Sequence, residues 1–374
     1  MASALVELPR LSSQASSQWQ RMAAFGSTSF GAAASGAGNY NPNKDAELVS
    51  PPTDAISSLH FSPTSNFLTV TSWDNQVRCY EVQPNGQSQP KAAFSHAAPV
   101  LCSAWSSDGS KVFSAGCDNE AKIWDLASNS QQTVAKHDAP IRHMHFFNNM
   151  LVTGSWDKTL KYWDLRQANP LHTQTLPERV YGMDVRHPLL VVGLANRRIQ
   201  IFHLSNPGAV VKELESPLKF QTRCITCFPD STGYLIGSIE GRVAVHHVDD
   251  NLQSKNFTFK CHRDSTGGGD GIWAVNSIEF HPVHGTFVTA GSDGQYNFWD
   301  KDSKQRLKAM SRSSLPIPCA AFNKEGTIYA YAACYDWNEG HAKHNPTSAK
   351  NLVLLHQPQD AEVKSRSRQA SGRR

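Results

Sequence analysis

The sequence predicts an all-β chain: a seven-bladed β-propeller preceded by a disordered arm and followed by a basic tail. Three observations carry this expectation. The first is a repeated block. Val152 to Leu165 reads V-T-G-S-W-D-K-T-L-K-Y-W-D-L, and close copies run from Leu68 to Val82, Phe113 to Leu126 and Phe287 to Asp300. Each copy has a short apolar run, a small-residue step, a tight turn and a second run of alternating side chains, which is a β-hairpin pattern. The second observation is a fixed spacing. An Asp stands six positions before an aromatic at Asp74/Tyr80, Asp118/Trp124, Asp157/Trp163 and Asp293/Trp299. The third is the period. The aromatics at 80, 124 and 163 are separated by 44 and 39 residues, and the same steps reach Phe202 and His246; a longer step of 53 then leads to Trp299. A period of ~40–45 residues closing on Trp-Asp is the WD-repeat signature, with four strands per blade.

The elements follow in chain order. Residues 1–43 are rich in Ala, Ser, Gly and Asn without periodicity and are expected to be a disordered arm, with two Phe-Gly dipeptides at 25–26 and 30–31. The propeller is expected over 44–357. Ala46 to Ser50 is read as a strand lent to the last blade, because a ring closed by the opposite terminus leaves no open edge. Blade one runs from Ile56 to Val82, blade two from near His96 to Leu126, and blade three from near His137 to Leu165. Blades four, five and six run from Arg179 to Leu204, Arg223 to Val248 and Ala274 to Asp300. Blade seven takes Ile317–Phe322, Ile328–Cys334 and Asn351–Leu355, with a polar insertion after Cys334. Residues 358–374 are expected to be a basic disordered tail.

Each regular blade should hold a buried polar tetrad of His, Ser or Thr, Asp and Trp, since a fully satisfied network fixes register. Blade three supplies His137, Thr153, Asp157 and Trp163. Blade two supplies His96, Ser114, Asp118 and Trp124. Blade six supplies Thr289, Asp293 and Trp299, with no clear His. Blades four and five are degenerate, with Asn196/Phe202 and Glu240/His246 at the marker positions.

Nothing in the sequence points to catalysis, a metal or a cofactor. Cys224-x-x-Cys227 lies on a predicted strand, where positions i and i+3 face opposite sides, and no second Cys pair has zinc-site spacing. The G-G-G-D-G run at 267–271 lacks the Lys and the strand-turn-helix context of a phosphate loop. His137, Asp138 and Ser155 form no nucleophile elbow. No apolar run approaches the ~18 residues of a membrane span, and no secretory signal pattern opens the chain. The eight cysteines read as reduced core thiols of an intracellular protein.

The charge is local. Of the net +4, residues 360–374 hold +3, from five basic and two acidic side chains. Lys301, Lys304, Arg306, Lys308 and Arg312 form a second basic run against Asp302 alone. Close to it in repeat order are Arg242, Lys260 and Arg263, with Phe257 and Phe259. Basic groups interleaved with aromatics suit an acidic peptide or single-stranded nucleic acid.

Several strings fall outside the generic repeat: G-S-W-D-K-T-L-K-Y-W-D (154–164), L-P-E-R (176–179), E-S-P-L-K (215–219), G-S-I-E-G-R-V-A (237–244), N-F-T-F-K-C-H-R (256–263), F-H-P-V-H-G-T (280–286) and C-Y-D-W-N-E-G-H (334–341). On these the chain resembles the poly(A)+ RNA export factor family of WD-repeat proteins; a mitotic-checkpoint paralogue shares the G-S-I-E-G-R-V-A string. The resemblance implies a non-enzymatic adaptor at the nuclear pore and nuclear envelope. It would bind a GLEBS-type segment of an FG nucleoporin, contact RNA, and have links to spindle and ubiquitin-pathway complexes. It maps partner contacts onto Arg242, Phe257, Trp299, Lys301, Lys304 and Arg306. The alternative it leaves open is a mitotic-checkpoint or ubiquitin-ligase scaffold that recognises acidic peptides.

Overall fold

The computed structural model describes residues 38–264 and 271–365. The Phe-Gly dipeptides and the Gly267–Gly269 run fall outside them. Seven four-stranded antiparallel sheets form the blades of a propeller, with one two-stranded ribbon, Arg263–Asp264 with Gly271–Ile272, between blades five and six. The first strands of successive blades pack against one another around the axis. They are Ile56–Phe61, Val100–Trp105, Ile141–Phe147, Val180–Arg186, Thr222–Cys227, Val275–Phe280 and Ala320–Phe322.

One backbone feature marks every blade. The residue after the turn Asp, or its counterpart, has positive φ: Asn75 67°, Asn119 64°, Lys158 67°, Arg197 66°, Gly241 60°, Gly294 74° and Trp337 62°. Asn and Gly tolerate this region best. The turn persists in blades four, five and seven, where the tetrad residues are lost, so the repeat survives as backbone geometry after its side chains have diverged.

Closure comes from Ala46–Glu47, paired antiparallel with Leu354–Leu355 of blade seven. This strand is shorter than the expected Ala46–Ser50. Beside it Asp45 accepts hydrogen bonds from Tyr331 at 2.7 Å and Tyr296 at 3.2 Å and meets His356 at 2.8 Å. Glu362 approaches the other nitrogen of His356 at 3.0 Å. Burial pushes the His356 pKa down, but the two carboxylates outweigh it and hold the ring above its ordinary value.

Both predicted boundaries shift. Tyr40 accepts a hydrogen bond from the Ser313 hydroxyl, so packing begins before residue 44. At the other end, residues 358–365 do not belong to a free tail. Asp360–Val363 is a short helix with Val363 buried against blades six and seven, because an apolar side chain and a carboxylate facing His356 anchor it.

Candidate functional site

The tetrads account for polar groups that would otherwise suggest chemistry. In blade three, His137 joins Asp157 at 2.7 Å and Thr153 at 2.7 Å, and the Trp163 indole donates to Thr153 at 2.9 Å. Burial raises the Asp157 carboxyl, yet hydrogen bonds from His137 and Thr159 prevail and hold it well below the carboxylate range. Blade two differs from expectation. His96 joins Asp118 and Ser114, both at 2.8 Å, but the Trp124 indole donates to Asn129 at 2.9 Å and not to Ser114. Asn129, in the following turn, supplies the acceptor. Blade six does have its histidine. His262 joins Asp293 at 2.8 Å and Thr289 at 2.9 Å, and Trp299 donates to Thr289 at 2.9 Å. The His-to-Asp separation is 31 residues here, against 22 and 20 in blades two and three, because the ribbon loop intervenes.

Cys224 and Cys227 point to different neighbours. The Cys224 thiol donates to Val275 O of blade six and the Cys227 thiol to Asp184 O of blade four, each at 3.5 Å. Burial pushes the Cys224 thiol up to about 12.

The predicted partner residues gather at the seam between blades five and six, with one exception. Phe257 and Phe259 stand on the outer strand Phe257–Lys260, ring centroids 6.2 Å apart, and Phe259 lies 4.7 Å from Trp299. Three cations sit over rings. Lys304 Nζ is 4.6 Å from the Phe257 centroid, the Arg306 guanidinium 5.9 Å from Trp299, and Lys301 Nζ 5.1 Å from Phe228. Asp300 shapes the turn that presents them, accepting from the Asp302 amide at 2.9 Å and the Ser303 hydroxyl at 2.7 Å. Lys304 itself has φ 57° there. Trp299 and Arg306 are cross-strand partners, which fixes their stacking.

Arg242 stands apart. It pairs in register with Lys260, while Phe257 pairs with Val245. The two predicted contacts therefore lie three strand positions apart, roughly 10 Å, towards opposite faces of the disc. Arg242 approaches Glu240 at 3.6 Å, and Arg263 donates to Glu240 O at 2.5 Å and Gly241 O at 3.3 Å.

A feature the sequence reading missed lies on the same face as Arg242. A cavity of about 780 Å³ opens on the propeller axis, with Trp73, Trp156, Tyr181, Tyr335 and Trp337 around it and Arg142 and Arg223 at its floor. The Trp156 and Trp337 indole nitrogens have no hydrogen-bond partner among the described residues. Arg223 donates to Asn276 Oδ1 at 3.0 Å, and Asn276 donates to Asp336 at 2.9 Å. Trp73, Trp156 and Tyr335 each stand directly before a turn Asp, which is the sequence signal that could have found this ring. Deeper in the channel, burial pushes the Glu279 carboxyl up to about 8, with a smaller push from Asp184.

The ring of four-stranded blades, with three complete or near-complete tetrads, defines a WD-repeat propeller, and the model of the WD domain, G-beta repeat, matches residues 46–81, 88–125, 128–164 and 254–300. Among its relatives, the chain is 60% identical to Protein RAE1 of Arabidopsis thaliana, over 92% of this chain and 99% of that one. It is 50% identical to the Poly(A)+ RNA export protein of Schizosaccharomyces pombe, over 86% of this chain and 93% of that one. It is also 50% identical to mRNA export factor GLE2 of Chaetomium thermophilum, over 86% and 92% respectively. The chain belongs to this Rae1 family of mRNA export factors.

Proposed function

We propose that the chain is a non-enzymatic adaptor in mRNA export from the nucleus, working at the nuclear pore. In this reading the seam of blades five and six holds single-stranded RNA without sequence preference. The Arg242 face takes a GLEBS-type segment of an FG nucleoporin. The observation that carries the RNA half is the pair of half-buried rings Phe257 and Trp299 with Lys304 and Arg306 over them, and Lys301 beside them over the buried Phe228. Bases stack on aromatic faces while neighbouring cations meet phosphates, and both terms are indifferent to sequence. Support for the peptide half is the guanidinium of Arg242, a fork suited to carboxylates, with the indole donors and arginines of the axial cavity on the same face. The names of the relatives, poly(A)+ RNA export protein and mRNA export factor, support the pathway.

One experiment tests both halves. Binding of the full chain to a fluorescent single-stranded RNA 12-mer and to a GLEBS peptide is compared for wild type, Lys301→Glu/Lys304→Glu/Arg306→Glu and Arg242→Glu. The triple reversal lowers RNA affinity by roughly two orders of magnitude at low salt, whereas Arg242→Glu chiefly weakens the peptide. Unchanged RNA binding in the triple variant removes the seam, and unchanged peptide binding in Arg242→Glu removes the nucleoporin assignment. A fluorescent fusion that marks kinetochores but never the nuclear rim favours the checkpoint-scaffold reading.

A further inference from the structure

The C-terminal segment packs against the turn that carries the RNA seam, and Ser365 makes the contact. From His356 the chain turns into the Asp360–Val363 helix, anchored by Glu362 on His356 and by the Thr286 hydroxyl, which donates to Val363 O at 2.6 Å. Two residues further on, the Ser365 hydroxyl donates to Asp300 Oδ2 at 2.5 Å. Asp300 is buried, 4% exposed, and it is the carboxylate that shapes the turn carrying Lys301 and Lys304. Burial raises the Asp300 pKa, and the hydrogen bonds from Ser365 and Ser303 outweigh it and keep the carboxyl ionised. Ser365 itself is exposed and lies outside any helix or strand. In sequence it is flanked by Lys364, Arg366 and Arg368.

We infer that Ser365 is a phosphorylation site for a protein kinase that selects serines among basic residues, and that phosphate there lowers the affinity of the blade five–six seam for RNA. The inference rests on the seam reading given above. The geometry supplies both requirements. The hydroxyl belongs to an exposed residue outside any helix or strand. It is also hydrogen-bonded to the residue that sets the position of the cationic turn.

The chemistry balances with ATP as donor. Ser365 Oγ attacks the γ-phosphorus, the bond to the β,γ-bridging oxygen breaks, ADP departs, and the hydroxyl proton passes to the kinase base. The product has no O–H, so the bond to Asp300 is lost. In its place stands a group of about −1.5 to −2 charge facing a carboxylate. Repulsion turns the phosphate away from Asp300. Besides its sequence neighbours Lys364 and Arg366, the cations next to this contact are Lys301 and Lys304, carried by the turn that Asp300 caps. A phosphate on these lysines occupies the groups that RNA phosphates would meet and reduces the positive field of the seam.

The test uses the full chain with phosphoserine installed genetically at 365, alongside Ser365→Ala, Ser365→Glu and the Lys301→Glu/Lys304→Glu/Arg306→Glu variant. The ligand is the single-stranded RNA 12-mer, titrated over a range of salt. The phosphoserine chain should bind roughly five- to twentyfold more weakly than wild type, with a salt slope shallower by about one; Ser365→Glu should show a smaller loss in the same direction. Ser365→Ala, which deletes the hydrogen bond without adding charge, should bind within about twofold of wild type. Equal affinity of the phosphoserine and wild-type chains, while the triple reversal still abolishes binding, overturns the inference and leaves the seam standing. If the triple reversal has no effect, the seam reading fails first. Incubation of the folded chain with ATP and a basic-directed serine kinase should place phosphate on Ser365, read by mass spectrometry against Ser365→Ala. Phosphate on Ser367 or Ser371 with none on Ser365 overturns the site.

Discussion

Blades three and five share four strands and the same turn, yet they differ in what their turn residues do. In blade three Asp157, His137, Thr153 and Trp163 satisfy one another inside the blade. In blade five Ile236 stands where Thr153 does, so there is no hydroxyl to link a histidine and an indole. His246, at the tryptophan position, stacks on Tyr234 with centroids 5.3 Å apart. Glu240, at the Asp position, instead accepts from the Lys219 amide at 3.1 Å and lies 3.6 Å from Arg242. In blade three the turn Asp is used up inside the blade. In blade five the turn is kept, and its Glu240 is held by neighbouring groups outside any tetrad.

The contrast can be broken by substitution. Asp157→Ala strands His137 and Thr159 and should cost about 2–3 kcal/mol. Glu240→Ala should cost less than about 1 kcal/mol, because its partners lie at the solvent edge. Urea unfolding of both variants checks this, and equal losses would end the distinction.

A middle-sized effect comes from the channel. Glu279 keeps its proton in the folded chain up to about pH 8, whereas the unfolded carboxyl releases it near its model value of 4.5. A raised carboxyl loses stability as pH rises between those values. Glu279→Gln should therefore stabilise the protein by on the order of 1 kcal/mol at pH 7.5 and by nothing at pH 4, after discounting for water in the channel. Melting temperatures at the two pH values decide it, and a gain of equal size at both would refute the assignment.

The smallest contrast is the difference between two tryptophans. Trp163→Phe removes a donor from Thr153 inside the tetrad and should cost about 1–2 kcal/mol. Trp124→Phe only frees Asn129 in a turn and should cost about half as much. The reverse order in chemical denaturation would place Trp124 back in its blade's network.

The fold was legible because each blade is specified locally. A turn Asp and an aromatic six residues later are enough to fix a hairpin. His262 escaped because its distance to Asp293 was stretched by an inserted ribbon, and a fixed-period search has no place for insertions. Trp124 was misassigned because an acceptor five residues away, Asn129, outcompeted the expected one. At the site, residue types were readable but their grouping was not. Lys301 over Phe228 joins the turn after one blade's third strand to a ring after another blade's first strand. That pairing, like the axial ring of Trp73, Trp156 and Trp337, exists only once the blades are arranged around an axis.

The two-residue strand Ala46–Glu47 has a consequence for biosynthesis. Asp45 and His356 meet across 311 positions of sequence. The earlier segment must wait, unpaired, for one that leaves the ribosome 311 positions later. Blades one to six can form hairpins during translation, since domains assemble as they emerge, but the circle cannot seal until residues 354–356 have been made. A chain cut short before residue 352 would keep most of its blades and still expose a raw sheet edge at each side of the gap. Quality control that recognises unpaired strands has this joint as the place where a sealed ring differs from an open one.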